Sequence, residues 1–419
     1  MSEHEQNMPK EGGVDHTLDL LNEGYYFILN RKNKFDSRVL ETRLLGEKAI
    51  CLVGKQEAEL FYNEDYFTRV EAAPNRVKKT LLGEGGVQGL DGEEHRHRKA
   101  MFMNLMTKDS LDEISRLTRE EWDHAIEANT QEELNVYDEA KRVLTRVALR
   151  WTGVPFKDED VDQWASELGD MFEKASKVGP KHWKSRRSRS KVEDWIEDLI
   201  KDVRDDAIQV EQSRALYVFS NHRDLEGKFL DKHVAAVEII NLLRPIVAIA
   251  VFIDFVALSI QQFPEEAKKL KAGSAEDLQN YTQEVRRYFP FFPAAIARVK
   301  KNFTWQGYDF KENTLTLLDL YGTNQDPDLW HFPDNFTPKR FKEWQGSPFD
   351  FIPQGGGEFD IGHRCAGEWI TIEIMKETLD YFINQISYKF PQQDLSYSMN
   401  DIPALPKSRV KIKHVEKIK

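Results

Sequence analysis

The chain has 419 residues, of which 40% are hydrophobic and 11% aromatic, ample for a large interior. Its 71 acidic and 59 basic side chains leave a net charge of −12, which speaks against nucleic acid or an anionic membrane surface as the main partner. Two cysteines, Cys51 and Cys365, cannot build a disulfide framework, and the polar start of the chain has no signal-peptide pattern, so a reducing, cytoplasmic setting is expected.

Residues 1–15 read as a disordered segment and residues 16–419 as one domain. The best early strand is residues 49–53. Helical periodicity then takes over. A glycine-rich turn at 83–89 precedes helices expected over 91–105, 108–128, 135–151, 158–177 and 190–210. The basic run 181–191 reads as a solvated connection, with a docking patch for an acidic partner as the alternative. Residues 232–262 form the longest periodic segment, interrupted by Pro245. Its strongly apolar run, 245–253, is too short to cross a bilayer, so no integral membrane segment is expected. Another amphipathic helix covers 275–288. Short strands follow near 297–303 and 314–320, then a glycine loop and a helix over 366–382. The tail, 386–415, alternates like β-hairpins.

Cys365 follows a loop containing Gly355, Gly356, Gly357 and Gly362, and it precedes Gly367 and the last helix. At that junction the helix dipole and nearby N–H groups should lower the thiol pKa. Three readings are open: a small buried hydrophobe, a nucleophile with His363 as its base, or a soft-metal ligand under a planar cofactor that the glycines let approach. Glu284 and Arg287 lie three apart on a helix, so their side chains can meet. Arg340, in the run from Phe336 to Phe341, can complete a buried Glu–Arg–Arg network bracing the cysteine loop.

These three motifs, Glu284-Val285-Arg286-Arg287, the Phe336–Phe341 run and Gly362-His363-Arg364-Cys365-Ala366-Gly367, resemble the cytochrome P-450 superfamily in order and spacing. The resemblance implies a single, mostly α fold with small β-sheets, shaped like a triangular prism. It implies haem b, with Cys365 as the axial ligand of the iron. A thiolate there pushes electron density onto iron and favours O–O cleavage. Cations should flank the haem propionates. His95 and Lys99, four apart, share one helix face, and Arg298 is a third candidate.

The central helix departs from the ordinary pattern. Residues 241–250 contain no acid and no alcohol, the pair that delivers protons to iron-bound dioxygen in oxygen-activating relatives. They contain Arg244 and Pro245 instead. A buried arginine needs a distant acid or a ligand's carboxylate. The Arg244-Pro245 pair resembles the bacterial fatty-acid peroxygenase branch, with further likeness over 81–103, 284–290 and 354–368. That resemblance implies hydrogen-peroxide-dependent hydroxylation of long-chain fatty acids at the α or β carbon, without a redox partner. The substrate carboxylate, salt-bridged to Arg244, would act as general acid–base. Gln88 stands where alkene-forming relatives carry histidine. An amide cannot titrate, which favours hydroxylation over decarboxylation to terminal alkenes. Leu82, Phe289 and Phe291 are expected to wall the acyl channel, where each buried methylene is worth about 0.8 kcal/mol. The rivals are a redox-partner-dependent monooxygenase, a non-catalytic haem or fatty-acid binder, and a cysteine–histidine hydrolase.

Overall fold

The computed structural model describes residues 7–129, 131–175 and 179–418. Its strands are β1 (Val39–Leu44), β2 (Glu47–Leu52), β3 (Phe67–Thr68), β4 (Glu133–Asn135), β5 (Ala294–Val299), β6 (Phe303–Trp305), β7 (Tyr308–Phe310), β8 (Leu315–Asp319), β9 (Ile386–Lys389) and β10 (Lys411–Lys417). They form a five-stranded sheet in the order β1-β2-β8-β5-β3, a three-stranded sheet β4-β10-β9, and the hairpin β6-β7. In the large sheet only β2 and β8 run parallel.

The helices that place the site are α1 (Gly92–Met103), α2 (Lys108–Ala128), α3 (Val136–Thr152), α4 (Val161–Glu173), α5 (Pro180–Arg204), α6 (Lys232–Ala248), α7 (Ala250–Gln262), α8 (Ala275–Tyr288) and α9 (Glu368–Asp380). Several starts are written in the sequence. Thr107 accepts from Ser110 N, Asn135 from Asp138 N, and Asp231 from His233 N. Ser274 and Asp277 form a reciprocal capping box at α8. α6 and α7 are apolar on nearly every side and lie in the middle of the helical body. Together, Lys232–Gln262 is long and apolar enough to cross a membrane, yet 94% of its apolar 18-residue window is buried inside the protein. The fold is mostly helical with small sheets, as expected.

Four expectations need correction. Residues 7–15 are not free of structure: Lys10 bridges to Glu41 beside β1, and Glu11 binds Arg31 and Thr42. Residues 1–6 lie outside the described chain. The helix does not break at Pro245; it runs through to Ala248, and the interruption falls at Ile249. Packing on all sides holds the turn despite one missing donor. The basic run is not a connection but the start of α5, which begins ten residues earlier than expected, with Pro180 in its first turn. Its Ser185, Ser188 and Arg189 are buried. The tail supplies β9 and β10, paired across a long loop, instead of successive hairpins.

Asp254 on α7 ties the C-terminal strand to this core: its Oδ1 accepts from Val410 N at 2.8 Å. Burial pushes its pKa up to about 7, whereas an unfolded aspartate releases its proton near 4. Folding therefore takes up a proton between those values, and stability falls as pH rises through that window. Asp254→Asn keeps an acceptor for Val410 and has no proton to lose. Above pH 7 it should be more stable than wild type by roughly 2–4 kcal/mol. Urea melts between pH 4 and 8 should show the wild-type slope flattened in the variant.

Candidate active site

The cysteine loop is shaped from outside itself. Gly355 and Gly357 have φ of +90° and +86°, and the Tyr62 ring presses on both, so side chains there would be strained and crowded. Cys365 N donates to Gln354 O, and Glu368 N, at the start of α9, donates to Cys365 O. Gln354 Nε2 lies 3.9 Å from the Cys365 sulfur. Arg286 on α8 donates to Glu368 Oε1 at 2.6 Å and to Gln354 Oε1 at 2.9 Å, while Arg364 Nε holds the other Glu368 oxygen. The thiol does not behave as the helix dipole alone suggests. Burial, then the Glu368 carboxylate, push its pKa up, against the Gly367 N–H that pulls it down. Glu368 occupies the positive end of α9, and a metal cation bound to the sulfur would favour its thiolate.

The expected Glu–Arg–Arg network is present. Arg287 Nε and Nη2 bind the two Glu284 oxygens at 2.8 and 2.9 Å, and Arg340 Nε reaches the same carboxylate at 3.1 Å. The two guanidiniums also donate to backbone carbonyls: Arg287 to Asn324 and Pro333, Arg340 to His331 and Asn335. One helical carboxylate thereby fixes the irregular chain leading to the cysteine loop.

Across from that loop, α1 presents His95 and Lys99, both buried. His95 stacks on His363 with ring centroids 3.9 Å apart. Lys99 Nζ donates to Gly362 O and Arg364 O. Burial lowers both pKa values, to about 3 for His95 and about 8 for Lys99; the neighbouring His363 adds to the first and Cys365 opposes the second. Arg298 does not join them. On β5 it makes a two-pronged ion pair with Glu47 and donates to Asn313 O, so its charge is already satisfied within the sheet. Sequence reasoning missed Arg69 just beyond β3. Its guanidinium is buried against the Phe61 ring, 4.3 Å from the centroid, and has no ion pair among the described residues. Nothing in its local sequence marked it, because its placement depends on β3 pairing with β5.

Arg244 enters from α6. It is 6% exposed, its Nε has no hydrogen-bond partner, and among the described residues it has no ion pair. Burial, then the nearby Arg189 guanidinium, push its pKa down to about 9, still above neutrality. Leu82 ends a turn over Lys78–Leu82, and Gln88 sits in a 3-10 turn at Val87–Gly89. Gln88 Oε1 accepts from Asn241 Nδ2 at 3.3 Å, and the same amide donates to Glu238. Glu238, a wholly buried acid of α6, in turn accepts from Arg98 of α1 at 2.9 Å. The acid absent from 241–250 thus exists one turn earlier, bound into this network. Phe289 turns away into the core, stacked on Phe255 at 4.6 Å, whereas Phe291 stacks on Phe252 at 4.2 Å and is only half-buried.

Residues 277–414 match the family model for cytochrome P450. Curated relatives include cytochrome P450 26A1 of Danio rerio, 23% identical over 89% of this chain and 82% of its own length. Solved structures are nearer. Cytochrome P450EX alpha, wild-type with myristic acid, is 48% identical, with a TM-score of 0.96 covering 98% of this chain and 99% of that one. Cytochrome P450SP alpha in complex with (R)-ibuprophen is 42% identical, covering 96% and 99%, with a TM-score of 0.94. A variant of cytochrome P450 OleT in complex with arachidonic acid is 37% identical, covering 98% and 99%, with a TM-score of 0.95.

The chain belongs to the cytochrome P450 superfamily. Its branch is that of the fatty-acid peroxygenases, and its cofactor is haem. The residues present fit that group. Arg69, Lys99 and Arg244 are buried cations without ion pairs among the described residues, and His95 Nδ1 has no hydrogen-bond partner. A flat apolar ring with two carboxylates and a metal for the sulfur suits such a donor set. Cys365 would ligate the iron, with Arg69, His95 and Lys99 toward the propionates.

The Glu284 brace offers a direct check in this P450. Glu284→Ala leaves Arg287 and Arg340 without their carboxylate. It should cost roughly 3–5 kcal/mol of stability, measured by chemical denaturation, with faster haem loss to an acceptor protein.

Proposed function

We propose that this P450 uses hydrogen peroxide to hydroxylate long-chain fatty acids at the α or β carbon. One observation carries the reading: Arg244 is a buried cation without a protein carboxylate, on a helix whose 241–250 segment has neither acid nor alcohol. An acyl carboxylate completes the pair, since the guanidinium fork matches its two oxygens. Myristic and arachidonic acids in the solved relatives support the substrate class.

Haem, when bound, supplies the iron centre at which the peroxide O–O bond breaks and a C–H bond is oxidised. The chain's own residues set the terms of that chemistry. Arg244 holds the headgroup, so the carbons nearest the carboxylate are the ones fixed in place. The anchored carboxylate takes a proton from one peroxide oxygen and returns it to the other, doing what the helix has no side chain to do. The apolar faces of α6 and the Leu82 turn exclude water from this exchange. Gln88, held by Asn241, offers an amide that neither gives nor takes a proton at neutral pH. That favours hydroxylation over decarboxylation.

Arg244→Ala should abolish peroxide-driven turnover of fatty acids while the reduced, carbon-monoxide-treated protein keeps its thiolate-type Soret band. Undiminished turnover would overturn the reading, and so would a need for electron-donor proteins in the wild type. Adding a short carboxylic acid should switch on peroxide-dependent oxidation of substrates that lack a carboxylate. Chromatography of products from a saturated fatty acid should give hydroxy acids in excess; dominant terminal alkenes would reverse the assignment at Gln88.

Arg244 also sets a pH limit. Its guanidinium is charged below about 9 and loses charge as pH rises through that value. Fatty-acid affinity should therefore weaken on the alkaline side, seen as a rising KM above pH 9, with little change in kcat.

A further inference from the structure

The first turns of α5 carry one basic residue that solvent does not reach. Arg186 and Arg187 point outward, whereas Arg189 is 2% exposed. Its Nε binds Glu193 Oε1 at 2.6 Å, and its Nη1 donates to Thr80 O at 3.3 Å and Leu81 O at 3.2 Å. Its Nη2 has no partner and lies on Gly83, whose φ is +89°. A Cβ at Gly83 would overlap that nitrogen on one side and Val237 of α6 on the other. Arg189 therefore reaches under the turn that presents Leu82 and stops against α6, two turns before Arg244.

No charged group acts on Arg244 more strongly than Arg189, and Cys365 comes next. The acids that act on Arg189 are Glu193 in contact, with Glu238 and Glu84 further off. Glu238 is already engaged by Arg98 and Asn241. Glu84 is exposed. Arg189 and Arg244 thus lie within electrostatic reach of each other in the buried interior, the one carboxylate among the described residues in contact with either is Glu193 on Arg189, and a single anionic headgroup balances the remaining charge.

Resting on the reading that Arg244 binds the acyl carboxylate, we propose that Arg189 is the second cation of the acid-recognition site. It is a positioning residue that does not touch the headgroup. It pins the Thr80–Gly83 turn and offsets Glu193, so that the pocket keeps the net positive charge that makes it prefer ionised acids to neutral acyl derivatives. A mere loop brace would need its donors but not its charge.

The test is calorimetric titration of the haem-loaded protein with dodecanoic acid and with the neutral dodecanamide. Arg189→Gln should weaken acid binding roughly tenfold, the scale of one charge pair across a pocket of effective dielectric near 20, and leave the amide unchanged. Glu193→Gln should do the opposite, tightening the acid alone by a similar factor. Arg189→Lys should keep the acid-over-amide ratio. Equal weakening of both ligands by Arg189→Gln, or no response of the ratio to Glu193→Gln, overturns the proposal; the second criterion stands even if Arg189→Gln does not fold. Arg244→Gln separates the two readings. If it erases the ratio and Arg189→Gln does not, only this inference fails. If the ratio survives in both variants, the carboxylate does not sit at Arg244 and the parent reading fails.

Discussion

Burying a guanidinium is the constraint around which this P450 is organised. Removing such a charge from water costs several kcal/mol unless an anion and a full set of acceptors come with it. The interior arginines divide on that rule. Arg287 has Glu284 and backbone carbonyls, Arg286 has Glu368, and Arg98 has Glu238; these three are structural. Arg244 and Arg69 have no such carboxylate among the described residues. The same physics that makes the first set rigid makes the second set receptive.

The two kinds of arginine work together. The paired ones fix the loops that the unpaired ones need. Arg286 and Arg364 converge on Glu368 and so set the backbone on which Cys365 stands. Arg98 donates to Gly85 O and orients Glu238, which with Asn241 positions Gln88. Arg189 holds Thr80 and Leu81. The glycine-rich stretch 83–89 has little side chain of its own for packing, so its shape comes from polar groups reaching in from α1, α5 and α6.

Much of this was legible from residues alone. Cys365, the Glu284–Arg287–Arg340 brace and the Arg244-Pro245 pair sit in short motifs whose spacing carries the geometry, and helices such as α2 and α8 begin at capping residues visible in the sequence. What was not legible depended on distant pairing. Arg69 is placed by a two-residue strand with no pattern of its own. Arg298 looked like a haem contact until β5 brought it to Glu47 across the sheet. Phe289 looked like a channel wall because periodicity cannot tell a core aromatic from a lining one. Arg189 was hidden in a charged run, where composition says solvent and only the helix phase says interior. The Cys365 thiol went the other way from expectation because it is buried and because Glu368, three residues on, takes the helix end that would have acidified it.

The partners of the glycine-rich stretch lie far along the chain. Leu81 waits for Arg189, 108 residues later; Arg98 for Glu238, 140 later; and Gln88 for Asn241, 153 later. A nascent polypeptide leaving the ribosome therefore grows by more than a hundred residues before these distant partners can reach the segment. Contacts of such sequence separation form slowly, since loop closure is costly before it is rewarded. Overproduction that outpaces the formation of these contacts would yield helical protein in which this stretch is still unshaped.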